Sequence, residues 1–277
     1  MLAPPQALSP RVSVPRFQTL DWYETPLYYD IVFAPETEVE AEFLEAMAAR
    51  HGRPRGRRVL EPACGSGRLV LELARRGWRV TGFDASEAML AFAGEKLRKE
   101  GLAARLVPAR MESFALRGPF DLAHCLVTTF KYLLDERSAR AHLERVAAAL
   151  APGGLYVLGF HLTDYAETRR TRERWVERRG RTEVVCNIQA WPADRRRRLE
   201  RVRSRLAVTE GVPGKQVVRR SETSWSFRTY DAGQVRRLLR SVPALELVAT
   251  HDFTYDPGSE LELGDDQLDV VLILRRR

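Results

Sequence analysis

Residues 59–69, Val-Leu-Glu-Pro-Ala-Cys-Gly-Ser-Gly-Arg-Leu, combine residue types that suit a small polar ligand. A short apolar run, Val59 and Leu60, stops at Glu61, and glycines follow at 65 and 67. Leu69, Val70 and Leu73 then recur at helical spacing, with Arg75 and Arg76 in the last turn and Gly77 to end it. The pattern predicts strand, tight turn and helix. Gly65 and Gly67 allow positive φ and a close approach to the main chain. The helix N-terminus adds unpaired N–H groups and a partial positive charge, so this corner suits a nucleotide-type ligand bearing a carboxylate or phosphate. Glu61 at the strand end would receive an ammonium group. A second strand, 79–83, runs into Asp84, seventeen residues after Gly67. A carboxylate there can accept from both hydroxyls of a ribose. A dinucleotide fingerprint needs a third glycine three residues after the second, and Val70 stands there, which counts against a nicotinamide enzyme.

E-x-A-C-G-S-G at 61–67 and V-x-G-x-D-A-S-x-x-M-L at 80–90 closely resemble the first two motifs of class I S-adenosylmethionine-dependent methyltransferases. L-x-P-G-G at 150–154, ahead of an apolar strand, is a further landmark of that family, and the resemblance covers 28–160. It implies an α/β fold: a Rossmann-like, doubly wound sheet of seven strands with a terminal antiparallel hairpin. It implies S-adenosyl-L-methionine as cofactor and S-adenosyl-L-homocysteine as product. By the same resemblance Glu61, Ala63, Gly65, Gly67, Asp84, Ala85 and Met89 belong to the cofactor site. Leu126 and Thr128 match positions beside the methionine moiety. Tyr29, in a Tyr-Asp pair before the first helix, matches a residue touching that moiety, with plain packing as its alternative. Met111 matches the residue whose N–H meets a purine nitrogen. Arg110 stands where an acid is expected, and a guanidinium has no acceptor for the exocyclic amine.

The elements that must position these residues read as follows. A helix over 36–50 carries Val39, Phe43, Leu44 and Met47 at helical spacing, with acids first and Arg50-His51 last, as the macrodipole favours. His51 reads as a solvated cation at its end and not as a ligand. Ser86 caps a helix that Gly101 closes. Strands follow at 104–107 and 120–126, then a helix at 137–150 and a strand at 155–160. His124 lies mid-strand and reads as a hydrogen-bonded core histidine. His161 sits at the strand end where an acceptor meets the sulfonium, which makes it the candidate catalytic residue; capping of the strand end is the alternative. Residues 17–33 are rich in Trp and Tyr, with packing favoured for Trp22 and Phe33.

Three alternating segments, 183–191, 199–208 and 217–230, predict an antiparallel meander inserted after the fifth sheet strand. Similar insertions roof the substrate pocket in small-molecule N-methyltransferases of the sugar-modifying and glycine types. The expected division is an N-terminal arm at 1–35, a cofactor domain at 36–165 and 231–277, and an inserted lid at 166–230. Asp231 caps a helix at 234–241, and strands at 245–253 and 268–275 form the terminal hairpin. Residues 1–15 read as a frayed leader without the order of a secretory signal.

The net charge is +8, and only Lys96, Lys99, Lys131 and Lys215 are lysine. Fourteen arginines against five acids lie within 169–205, so the rest of the chain is nearly neutral. Cys64, Cys125 and Cys186 are isolated and odd in number, as in a reducing, cytoplasmic compartment without disulfide or zinc frameworks. No apolar run reaches the ~18 residues of a membrane span. These features favour methylation of N or O on a small molecule. A nucleic acid is the less favoured partner, for an RNA methyltransferase gripping phosphates with its arginines. A non-enzymatic binder on the same fold is the third reading.

Overall fold

The computed structural model describes residues 16–53 and 55–277; the leader expected at 1–15 lies outside them. In chain order, β1 (Gln18–Thr19), α1 (Pro26–Phe33) and α2 (Thr37–His51) precede β2 (Arg58–Pro62), α3 (Arg68–Arg75), β3 (Arg79–Asp84), α4 (Glu87–Glu100) and β4 (Arg105–Pro108). Next come β5 (Phe120–Cys125), α5 (Glu136–Ala149) and β6 (Leu150–His161). Four strands follow: β7 (Thr171–Arg179), β8 (Thr182–Ala190), β9 (Leu199–Glu210) and β10 (Val217–Arg228). The chain closes with α6 (Ala232–Arg240), β11 (Leu245–His251) and β12 (Asp269–Arg276).

Seven strands form one sheet in the order β11-β12-β6-β5-β2-β3-β4. β12 alone runs antiparallel to its neighbours, which makes the expected terminal hairpin. Its run Val-Val-Leu-Ile-Leu is buried on both faces. Val270, Leu272 and Leu274 enter the core under α5 and α6, and Val271 and Ile273 enter the core under α2 and α3. Strands covered on both sides by helices read as continuous apolar runs for this reason. Cys64, Cys125 and Cys186 are free, buried, and in three different clusters. No helix among the described residues is long and apolar enough to cross a membrane.

The insertion is larger than the three strands expected. β7 to β10 form a four-stranded meander, and β1 adds in parallel to β10. β7, Thr-Arg-Glu-Arg-Trp-Val-Glu-Arg-Arg, carries adjacent Trp175 and Val176 and otherwise little apolar alternation, as suits a charged edge strand. Its strand character comes from pairing along the whole length of β8. Val184, Cys186, Leu206 and Val208 on the inner face bury α1 through Ile31 and Val32. Arg201, Arg203 and Arg205 alternate with buried Val202, Ser204 and Leu206, so these arginines occupy the outer face.

Three local expectations change. Gly153 and Gly154 lie within the long β6, not ahead of it. His51 is half-buried with its Nε2 withdrawn from water, and burial together with Arg50 lowers its pKa, so the fully solvated end expected there is not found. His124 is buried, yet neither ring nitrogen has a hydrogen-bond partner.

Candidate functional site

β2 and β5 are neighbours from which the strand order runs both ways, and open α/β sheets bind ligands at such a switch point. The turn leaving β2 is held open by left-handed backbone at Ala63, Gly65 and Gly67, with φ of 51°, 53° and 72°. The Gly65 N–H donates to Asp84 Oδ2 at 2.8 Å, and the Ser86 N–H donates to Oδ1 at 2.8 Å. One carboxylate thus joins the tips of β2 and β3. Burial raises the pKa of Asp84, and the N–H groups of Ser86 and Gly65 oppose it. Both oxygens retain acceptor capacity beside a cavity of ≈ 380 Å³ lined by Asp84, Ala63, Gly65, Ala85, Met111 and Glu112.

A second, smaller pocket adjoins the turn and includes Glu61, Ala63, Gly65, Arg68 and Leu126. Glu61 Oε2 is buried without any partner. His124 Nε2 is 3.9 Å away, but burial pulls the imidazole down to about 3, so it is neutral and no counter-ion. Burial pushes Glu61 up to about 8, with Arg68 opposing. An isolated buried carboxylate is costly, and a ligand ammonium would relieve that cost. Arg68, held by buried Glu40, supplies the opposite charge in the same pocket. One carboxylate and one guanidinium together match the two charged ends of an α-amino acid.

A third cavity, of ≈ 580 Å³, lies between the inserted sheet and the ends of β5 and β6. Aromatic rings dominate its wall: Trp22, Tyr23, Trp175, Trp191, Trp225 and Phe227 among them. Trp22 and Phe33 therefore both pack and face this space. Thr128 lines it, in left-handed backbone, with its buried hydroxyl unpartnered. His161 lines it as well, its Nδ1 2.5 Å from Asp269 Oδ1. The β6–β12 register sets Asp269 directly opposite His161. Among the described residues, Tyr29 and Thr129 alone line all three cavities. The three spaces thus converge on one point.

Comparison with known proteins gives this geometry a family context. Residues 59–154 match the family model described as a methyltransferase domain. The chain is also similar to DesVI of Streptomyces venezuelae, with TM-score 0.71 and 18% identity over 93% of this chain and 99% of that one. An S-adenosylmethionine-dependent methyltransferase of Clostridium acetobutylicum gives the same TM-score at 17% identity, over 91% and 97%. Residues 59–154 are thus similar to a methyltransferase domain, and the chain shares the class I fold of these solved methyltransferases. A dTDP-3-amino-3,6-dideoxy-alpha-D-glucopyranose N,N-dimethyltransferase of Streptomyces fradiae is 33% identical over 43% of this chain and 45% of its own. A glycine/sarcosine N-methyltransferase of Parasynechococcus marenigrum is 30% identical over 54% and 51%. The chain thus spans about half the length of the curated relatives it matches.

The expected site residues divide. Tyr29, Glu61, Ala63, Gly65, Asp84, Ala85, Met111, Leu126 and Thr128 line the joined cavities. Gly67 and Met89 line none of the three. Gly67 caps α3 where a Cβ would meet that of Ala93 at 2.6 Å, and Met89 is fully buried in α4. Arg110 borders the Asp84 cavity but turns its Nε to Glu112 at 2.7 Å, which brings an acid to that rim after all. Arg68, Thr129 and Asp269 had no signal of their own in the sequence. Arg68 follows the glycine turn and could have been weighed there; Asp269 depends on strand register, which sequence does not fix.

Proposed function

We propose that this chain transfers a methyl group from S-adenosylmethionine to a nitrogen of a small molecule held between the two sheets. The convergence of the three cavities at Tyr29 and Thr129 carries this reading, because donor and acceptor must meet within one enclosed space. The cofactor, when bound, supplies a methyl already activated by a cationic sulfur. Glu61 would receive its ammonium, Arg68 its carboxylate, and Asp84 its ribose hydroxyls. Met111 and Glu112 would border its purine. The inserted sheet acts as a lid that excludes water and aligns the acceptor, which is the main requirement of an in-line displacement.

His161 is the proton acceptor in this scheme. Asp269 accepts from its Nδ1–H, leaving the Nε2 lone pair to take a proton from the acceptor's ammonium and so free the amine lone pair that attacks the methyl carbon. The wall also suits an amine on an apolar body. Its rings attract cations, and Asp164, Glu167 and Glu173 have no cationic side-chain partner among the described residues. The N-methyltransferase relatives support nitrogen over oxygen. Arg201, Arg203 and Arg205 lie on the face of the lid turned away from the cavity, so a nucleic acid bound there would sit across a sheet from the methyl donor. That arrangement favours a small acceptor.

The test is a labelled-methyl screen of amine-bearing metabolites against hydroxylated metabolites and total RNA. Label entering an amine, and lost in Glu61→Gln, is the expected result. Label entering RNA alone would end this reading.

A further inference from the structure

A second cluster of ligand-type residues lies away from these cavities. His51 ends α2, His251 ends β11, and Glu260 sits in the loop after β11. The Leu261 N–H donates to Thr250 O at 2.7 Å and folds that loop back, which sets Glu260 beside His251. One nitrogen of each ring and one Glu260 oxygen lie within 4.8 Å of one another. His251 is fully buried, and its Nε2 has no hydrogen-bond partner; His51 Nε2 is likewise buried and unpartnered. His251 Nδ1 lies 3.3 Å from the Asp256 carbonyl. A carbonyl only accepts, so Nδ1 carries the proton and Nε2 the lone pair. Metal-bound histidines are oriented by such a second hydrogen bond.

We propose that His51, His251 and Glu260 form a binding site for a divalent transition-metal ion of the zinc class. Two imidazoles and a carboxylate are zinc-type donors, whereas calcium and magnesium take oxygen ligands. The three protein ligands leave a fourth position for water. Side-chain movements of about 1 Å bring the donors to zinc–nitrogen bond lengths near 2.0–2.1 Å. Arg50 approaches Glu260 only at 3.8 Å in an exposed pair, a contact worth ~1 kcal/mol or less, so it yields readily to a dication.

The site would staple α2 to the segment after β11. That segment carries Phe253, packed on His161 at 4.9 Å, and Tyr255, packed on Phe43 at 5.5 Å. The metal is therefore structural, bracing the residues behind His161 without entering its cavity.

The untagged full-length chain, stripped with a chelator, is titrated with Co²⁺ and with Zn²⁺. One equivalent of Co²⁺ giving tetrahedral d–d absorption, displaced by Zn²⁺, is expected, with a melting temperature raised by Zn²⁺. His51→Ala and Glu260→Gln, both at the rim of the cluster, should keep the fold by circular dichroism and weaken Zn²⁺ binding at least ~10-fold. Absence of stoichiometric binding, or binding unchanged in both variants, overturns the proposal.

Discussion

Arg179 at the end of β7 donates from Nη1 to Asp30 Oδ2 at 2.6 Å. The other oxygen of Asp30 accepts from Lys96 Nζ of α4 at 2.7 Å and from Ser66 Oγ of the glycine turn at 2.8 Å. Asp30 follows Tyr29, so a single buried carboxylate ties the inserted sheet, the glycine turn, α4 and the helix carrying the junction residue together. Burial pushes its pKa up, but Lys96, Arg179 and Ser66 outweigh that and hold it below the ordinary value.

Asp30→Asn leaves Lys96 and Arg179 without their shared counter-charge. Breaking a fully buried pair costs 3–5 kcal/mol; with both cations partly exposed, about 1–3 kcal/mol is expected. Because the folded pKa is depressed, the contribution is present above the unfolded value and lost as pH falls through the folded one. Urea melts should show the wild-type advantage at neutral pH and its disappearance under acid conditions. An undiminished advantage at low pH would contradict the assignment.

Glu61 gives the opposite slope. Its folded pKa, near 8, lies above the unfolded value, so the folded state keeps a proton that the unfolded state has released. Stability from this group falls between pH ~4.5 and ~8. Without ligand, Glu61→Gln should melt close to wild type at pH 5 and above it at pH 9. The same variant should bind S-adenosylmethionine at least ~10-fold more weakly, since one charge-assisted contact is worth ~1.5–3 kcal/mol. Melts at pH 5 and pH 9 check the first half, and calorimetry at pH 7, where the ligand's ammonium keeps its proton, checks the second.

The two glycines of the turn should separate. A Cβ on Gly65 would sit 3.6 Å from Tyr29 Cε1, an ordinary contact, so Gly65→Ala meets only the cost of its φ, ~1–2 kcal/mol. Gly67→Ala adds a 2.6 Å clash with Ala93 in α4 and should lower the melting temperature further. Asp84→Ala should weaken cofactor binding by ~1–3 kcal/mol through unpaired ribose hydroxyls. Equal melting of the two glycine variants would count against this division of roles.

If His161 takes the proton, Asp269→Asn should reduce kcat while leaving acceptor KM nearly unchanged. General-base contributions of ~10²–10⁴ set the upper range of the loss in His161→Asn. A pH–rate profile in which the acidic limb survives in His161→Asn would reassign the base.

The sequence by itself determined the parallel core of the sheet, the glycine turn, Asp84 at the next strand tip and the terminal hairpin. Each rests on local signals: a continuous apolar run such as 270–274, a cap such as Ser86 or Asp231, or glycines where backbone must turn left-handed. Tertiary structure alone decided that β7 is a strand and that β1 joins β10, because both are defined by partners distant in the chain. It likewise set Asp269 opposite His161 by strand register and brought Thr129 to the meeting point of the cavities. The isolation of Glu61 was also invisible beforehand. A carboxylate's charge cost depends on what surrounds it in three dimensions, and here the nearest imidazole is neutral for the same reason, burial, that leaves the acid waiting for an ammonium.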